Sequence, residues 1–220
     1  MGTAATQTLR LPVIGFKSPL LRAASDEKLI ALTRRGRDDA FEALVERYRA
    51  RLLAFCQHML RSREDAEDVL QEVYVAALRA MRSDTRPIQT KPWLYKIARN
   101  RSLNHMRRRV DVAVESMDSF ERGAGESAHE AVAGREQLRE IVSDVHDLPE
   151  SQRTALILRE FDALSYQQIA DTMDTTVPAV KSLLVRARMG LAAAGEARAD
   201  ETAAAMAAGA ARAAAAASVA

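Results

Sequence analysis

Ser165-Tyr166-Gln167-Gln168-Ile169-Ala170-Asp171-Thr172-Met173-Asp174-Thr175-Thr176-Val177-Pro178-Ala179-Val180-Lys181-Ser182-Leu183-Leu184-Val185-Arg186-Ala187-Arg188 reads as two helices joined by a tight turn. Ser165 followed by Gln168 is a capping box, in which a hydroxyl and an amide satisfy free backbone N–H groups at a helix start. Ile169, Ala170 and Met173 supply the apolar side of this short helix. Asp174-Thr175-Thr176 makes the turn, and Thr176 caps a second helix that buries Val180, Leu184, Ala187 and Leu191. A small residue where the helices touch, Ala170, and a second helix with a free outer face are the grammar of a helix-turn-helix. On that face Lys181, Ser182 and Val185, with Val177 and Pro178 near the helix start, point toward a major groove. Base edges fall to this N-terminal group, and phosphates to Arg186, Arg188 and Thr175 or Thr176.

Outward from this unit, Arg135 to Leu148 carries Leu138, Ile141, Val142 and Val145 at helical spacing, and Pro149 opens a helix through Leu156 to Phe161. Before it, Asp111, Glu115, Asp118, Glu121, Glu126 and Glu130 lie among Gly, Ser and Ala, an acidic and flexible linker over 111–134. The linker divides the chain into domains at 25–110 and 135–192, with a disordered extension over 1–24 and a frayed alanine-rich tail over 193–220. Aromatics are only 5% of 220 residues and the apolar fraction is mostly Ala, Leu and Val, which favours an all-α fold. The single cysteine, Cys56, excludes an internal disulfide and reads as a core residue. Four scattered histidines offer no metal-ligand spacing, so neither a metal nor another cofactor is expected. No apolar run approaches a membrane span, and Leu11 to Phe16 is too short for a signal-peptide core, which implies a cytoplasmic protein without membrane insertion. Met1 to Thr6 fits an N-myristoylation pattern too short to be specific.

The net charge is only +2, so the charge distribution carries the argument. Ser25 caps a helix to Arg35 with Gly36 as its stop, and Asp38 or Asp39 caps the next, in which Phe41, Leu44, Val45, Tyr48, Leu52, Phe55, Cys56 and Met59 recur at helical steps. Ser62 and Asp65 resemble a capping box ahead of a helix with one apolar face, Ala66, Val69, Leu70, Val73, Ala77 and Met81. Asp65, Asp68 and Glu72 line its other side beside Gln71, a single-sign stripe of the kind that steers association. Ser83 to Pro92 has two prolines and no apolar period, the pattern of a loop. Trp93 to Arg109 is then an amphipathic helix carrying Lys96, Arg99, Arg101, Arg107, Arg108 and Arg109 and no acid. Such cations release counterions from nucleic acid, while aromatic groups and a neighbouring polar loop hold unstacked bases.

In order along the chain, Asp65-Ala66-Glu67-Asp68-Val69-Leu70-Gln71-Glu72, Trp93-Leu94-Tyr95-Lys96-Ile97-Ala98-Arg99-Asn100, Leu148-Pro149-Glu150, Ser165-Tyr166-Gln167-Gln168-Ile169-Ala170, Val180-Lys181-Ser182 and Arg186-Ala187-Arg188 resemble extracytoplasmic-function (ECF) sigma factors of bacterial RNA polymerase. The resemblance runs from about Ser25 to Leu191. It implies that the first domain corresponds to sigma region two and the second to region four. Asp65, Asp68, Gln71 and Glu72 would dock on the β′ clamp helices of core polymerase, and region four on the β flap. Thr85, Arg86, Gln89 and Lys91 from the loop, with Trp93, Lys96, Arg99, Asn100, Arg107 and Arg108 from the basic helix, would hold the melted strand of the minus-ten element. Thr175, Thr176, Pro178, Lys181, Ser182, Val185, Arg186 and Arg188 would read the minus-thirty-five duplex, and the acidic linker would thread basic polymerase channels. An anti-sigma protein joins core polymerase and promoter DNA among the partners the resemblance admits.

The chain departs from the family pattern in three places. It reads Pro178-Ala179-Val180-Lys181-Ser182-Leu183-Leu184 where relatives usually have Gly-Thr-Val-Lys-Ser-Arg-Leu, so one usual arginine contact is missing. Asp174 stands for the usual turn glycine, a substitution its left-handed tolerance allows. The alanine tail matches nothing in the core pattern and lacks the Cys and His of a metal-binding sensor. The reading is therefore a non-catalytic initiation factor. A stand-alone helix-turn-helix regulator is the rival, but it leaves the acidic stripe and basic helix unexplained. An enzyme would need a nucleophile or metal spacing that His58, His105, His129 and His146 do not form.

Overall fold

In the computed structural model the backbone is described over residues 19–115 and 132–217, and side chains over 20–109, 139–204 and 206–208. Every regular element among them is a helix, in the order α1(Pro19–Arg22), α2(Asp26–Arg34), α3(Asp38–Leu60), α4(Arg63–Ser83), α5(Thr90–Glu115), α6(Val132–Asp147), α7(Glu150–Glu160), α8(Tyr166–Met173) and α9(Val177–Ala217). The all-α expectation holds.

Serines open three of these helices by accepting from the backbone N–H three residues on. Ser25 accepts from Lys28 at 3.4 Å, Ser62 from Asp65 at 3.2 Å and Ser165 from Gln168 at 3.2 Å. Only the last is reciprocal, with the Ser165 N–H donating to Gln168 Oε1 at 2.9 Å. Gly36 at φ 85° and Asp174 at φ 52° take the left-handed conformation that ends a helix, as their positions predict. Helices α2 to α5 enclose Leu29, Leu44, Leu52, Phe55, Met59, Val69, Val73 and Tyr95, and α7 to α9 enclose Ile157, Leu158, Leu164, Ile169, Val180 and Leu184. The two groups do not stand apart: α3 packs on α7 and α5 on α8, and one continuous apolar core runs through both.

Several local expectations are corrected. The 1–24 extension is ordered from Pro19: α1 buries Leu21, and Arg47 donates to the carbonyls of Arg22 at 2.9 Å and Ala24 at 2.7 Å. Arg37, not Asp38 or Asp39, is the cap residue of α3, because the Asp39 carboxylate is taken by the Arg37 guanidinium at 2.6 Å. The loop is shorter than Ser83 to Pro92. Helix α5 begins at Thr90, since a proline in the first turn removes only an N–H that has no partner there. At its other end α5 runs on to Glu115, and α6 starts at Val132, so both helices enter the segment read as linker. Residues 116–131 of that segment lie outside the described residues, as do 1–18, with Met1 to Thr6 and Leu11 to Phe16, and 218–220. The alanine-rich tail continues α9 as helix to Ala217, as alanine propensity permits, and meets α6 where Arg198 pairs with Asp144 and, at 3.5 Å, Glu140. At Gly190 a Cβ would lie 3.1 Å from Leu148 Cδ2, so the glycine lets α9 pass close to the end of α6.

Cys56 is a core residue. Burial pushes its thiol up to about 12, and its sulfur accepts only a weak 3.9 Å contact from Ser102.

Candidate nucleic-acid interface

The loop before α5 is held from outside. Arg34 donates to the carbonyls of Thr85 at 3.2 Å and Arg86 at 2.6 Å, and the Arg86 guanidinium and N–H bind Asp84 at 2.7 and 2.9 Å, which holds that carboxyl down to about 2. Pro87, Ile88, Gln89, Pro92, Trp93 and Lys96 line a cavity of about 220 Å³, and Asp171 of α8 completes its wall. Thr85, Arg86, Gln89, Asn100 and Arg107 are exposed.

Three more of the residues expected to hold the melted strand, Lys91, Lys96 and Arg99, are met by α7, α8 or the turns that follow them, while Arg108 is exposed. Lys91 donates to the Asp162 carbonyl and the Tyr95 hydroxyl to the Asp162 carboxylate. Lys96 meets Asp174 at 2.5 Å and Arg99 meets Glu150 at 3.1 Å. Asp162 is only 7% exposed and Tyr95 fully buried, edge-on to Phe55 with ring centroids 5.3 Å apart. Burial pushes the Asp162 carboxyl and the Tyr95 hydroxyl up and the Lys91 ammonium down, each away from its charged form.

The far half of α5 faces α4. Asp65 is met by Arg109 and, at 3.2 Å, by His105 Nε2, while Glu72 is met by Arg101 at 3.6 Å and Arg108 at 3.5 Å. Thus two acids of the predicted stripe are partly neutralised within the chain, and Asp68 and Gln71 remain exposed.

The helix-turn-helix presents the opposite situation. Thr176 Oγ1 accepts from the Ala179 N–H at 3.3 Å, the cap expected for α9. Pro178, Lys181, Val185 and Arg186 are exposed on the outward face. Arg159 and Lys181 lie 4.7 and 5.7 Å from the Tyr166 ring centroid, Arg186 donates to Ser182 Oγ at 2.9 Å, and Arg188 pairs with Glu160 at 2.7 Å. Sequence reasoning missed Arg34 as the fastener of the loop, and Asp162 and Asp171 as covers of α5. Their partners are too distant in the chain for any local pattern to show them. Among the described residues no group of His, Cys, Asp and Glu is placed to hold a metal ion, and no helix is long and apolar enough to cross a membrane.

Two family models match the chain: Sigma-70 region 2 over residues 44–111 and Sigma-70, region 4 over 145–191. RNA polymerase sigma-H factor of Pseudomonas aeruginosa is 36% identical over 77% of this chain and 93% of its own. ECF RNA polymerase sigma-E factor of Escherichia coli is 36% identical over 74% of this chain and 91% of its own. Among solved structures, CnrH in complex with the cytosolic domain of CnrY superposes with a TM-score of 0.61 at 26% identity, covering 78% of this chain and 97% of that one. The sigma factor RpoE with the anti-sigma factor NepR from Bartonella quintana gives 0.60 at 26% identity, covering 71% and 96%. With both regions matched in order and relatives of this identity spanning most of the chain, the protein belongs to the sigma-70 family, as an ECF-type sigma factor of bacterial transcription initiation.

Proposed function

We propose that residues 25–110 bind core polymerase and the melted minus-ten strand, that 135–192 read the minus-thirty-five duplex, and that the acidic segment 111–134 crosses polymerase channels between them. What supports this division is the presence of two differently built surfaces in one chain. One is a basic helix with Trp93 over a loop-lined cavity, suited to unstacked bases; the other is an exposed recognition helix, suited to a groove. Lys181 and Val185 face base edges, and Arg186, Arg188, Thr175 and Thr176 face phosphates. Asp68 and Gln71, with Asp65 and Glu72, dock on the β′ clamp helices, and the second domain docks on the β flap. The protein acts in the cytoplasm and makes no bond itself; RNA synthesis belongs to the polymerase, and no cofactor takes part. An anti-sigma protein is a further partner, supported by the fold shared with a sigma factor held by NepR.

Run-off transcription with sigma-free core polymerase across promoter fragments of the source genome tests this reading. Discrete start sites that depend on the added protein are expected. Failure to bind core polymerase would move the assignment to a stand-alone duplex-binding regulator. Within that assay Asp68→Arg, at an exposed position, weakens core binding by about 2 kcal/mol or more while leaving the helical content unchanged. Unchanged core affinity would remove the acidic stripe from the docking surface.

A further inference from the structure

The segment from Asp84 to Gln89 has no regular structure, yet Pro87, Ile88 and Gln89 form one wall of the Trp93 cavity. All of the lining except Asp171 belongs to the first domain. A wall made of loop keeps its shape only where contacts outside the loop fix its backbone, because an unheld loop samples many conformations. Ile88 anchors it on the core side, packed against the buried cluster. On the other side Arg34 holds it, its two terminal nitrogens donating to the consecutive carbonyls of Thr85 at 3.2 Å and Arg86 at 2.6 Å. Arg34 stands on a fixed base: it closes α2, whose Leu29, Ile30 and Thr33 are buried and which Gly36 stops in the left-handed conformation. A planar guanidinium presents its donors in a rigid fork, so two acceptors are set at once in distance and direction. The Arg34 Nε is itself buried, which leaves the fork little freedom. Asp84 completes the clamp by accepting from the Arg86 N–H at 2.9 Å and from its guanidinium at 2.7 Å.

We propose that Arg34 is a positioning residue for base selection: by fixing the Thr85 and Arg86 carbonyls it fixes the Pro87-Ile88-Gln89 wall, so the base admitted to the Trp93 cavity depends on a side chain of α2 that does not line it. This rests on the strand-binding reading of α5 and its loop given above. Pro87 follows the clamped carbonyls at once, and its ring fixes φ, so the orientation set at Arg86 passes on to Ile88 and Gln89 with little slack. A small displacement of that wall changes which base edge finds a partner. The cations and the Trp93 ring that hold any strand stay where they are. Arg34 therefore acts on selectivity and not on total binding. A cation that served to attract phosphates would do the reverse.

The test uses the full chain assembled with sigma-free core polymerase and a labelled pool of short single strands randomised in base sequence. Strands retained by the assembly are sequenced, and total binding is read by anisotropy. The unmodified chain is expected to favour one base at one position, with the preference lost in Trp93→Ala. In Arg34→Ala that preference falls about tenfold, while total strand binding changes by less than about twofold and helical content and core affinity are kept. Arg34→Lys keeps the charge but not the fork, and lowers the preference at least about threefold. An unchanged preference in Arg34→Ala overturns the proposal. So does a fall in total binding with the preference intact, which makes Arg34 a general phosphate contact, and so does an undiminished preference in Arg34→Lys, since a point charge then suffices. If the unmodified chain shows no base preference that Trp93→Ala removes, the strand-binding reading itself fails, and the role of Arg34 with it. Should Arg34→Ala lose its helical content, Arg34→Lys alone carries the test.

Discussion

Lys96 and Lys181 each stand near the start of a helix, on a face that reads as basic, and each is flanked by an aromatic ring. Lys96 is spent on Asp174 in the neighbouring domain, at 2.5 Å beside the Trp93 cavity; Lys181 lies exposed, 5.7 Å from the Tyr166 ring of its own helix-turn-helix. The difference lies in what packs alongside. Among the described residues the outward face of α9 is left exposed at Pro178, Lys181, Val185 and Arg186, whereas α5 is backed by α4 along its far half and by α8 along its start. Charge along a helix therefore identifies a surface by chemistry, and tertiary packing decides whether that surface is available.

The largest way to disturb this contrast is to remove the support of the open face. Leu184, 2% exposed on the inner side of α9, holds the recognition helix on its domain, and Leu184→Ala lowers stability by about 2–5 kcal/mol in chemical denaturation, with duplex binding lost as the domain opens. Next, Lys181→Ala weakens duplex binding by about 1–3 kcal/mol and leaves single-strand binding unchanged, as read by anisotropy with each probe. Equal losses in both would erase the distinction between the two surfaces.

A pH series probes the junction of the domains. His146, at the end of α6, is lowered to about 4 by burial first and then by the nearby cations Arg61 and Arg153 and by the His58 ring where it takes up a proton, against the weaker pull of Asp147. The unfolded chain takes up this proton near an ordinary histidine value of about 6.5, so the contribution to stability is complete above that pH and declines as pH falls toward 4. Asp162, raised by burial, titrates in the opposite sense and favours the folded chain on acidification. His146→Gln therefore flattens the acid-side loss of stability without altering the neutral value by the same amount, measured in urea melts from neutral to mildly acidic pH. The smallest effect is at the tail clasp. Arg198→Ala removes partly exposed pairs to Asp144 and Glu140, lowers stability by about 0.2–1 kcal/mol and speeds amide exchange in α9 beyond residue 198.

The helix-turn-helix was legible in the sequence because its determinants are local. The Ser165 and Gln168 box, Ala170 at the helix contact and Asp174 in a left-handed turn all act within a few residues of themselves. The apolar face of α4 was legible for the same reason, through its period. The start of α5 was misread because Pro92 looks like a loop signal and is in fact tolerated in a first helical turn. The cover on α5 was illegible because its main contact joins Tyr95 to Asp162, 67 residues apart, through one hydroxyl and one carboxylate that no periodicity marks. The partial neutralisation of Asp65 and Glu72 escaped for the same reason, since their cations lie on the next helix.

Helix α9 is a single rod of 41 residues, about 60 Å at 1.5 Å per residue. Its reading end carries Lys181 and Ser182, the Arg198 clasp sits about midway, and the backbone continues about 28 Å farther to Ala217. The first half of the rod is packed on α7 and α8 through Val180, Leu184 and Ala187, so the length beyond the clasp adds reach to the domain rather than core.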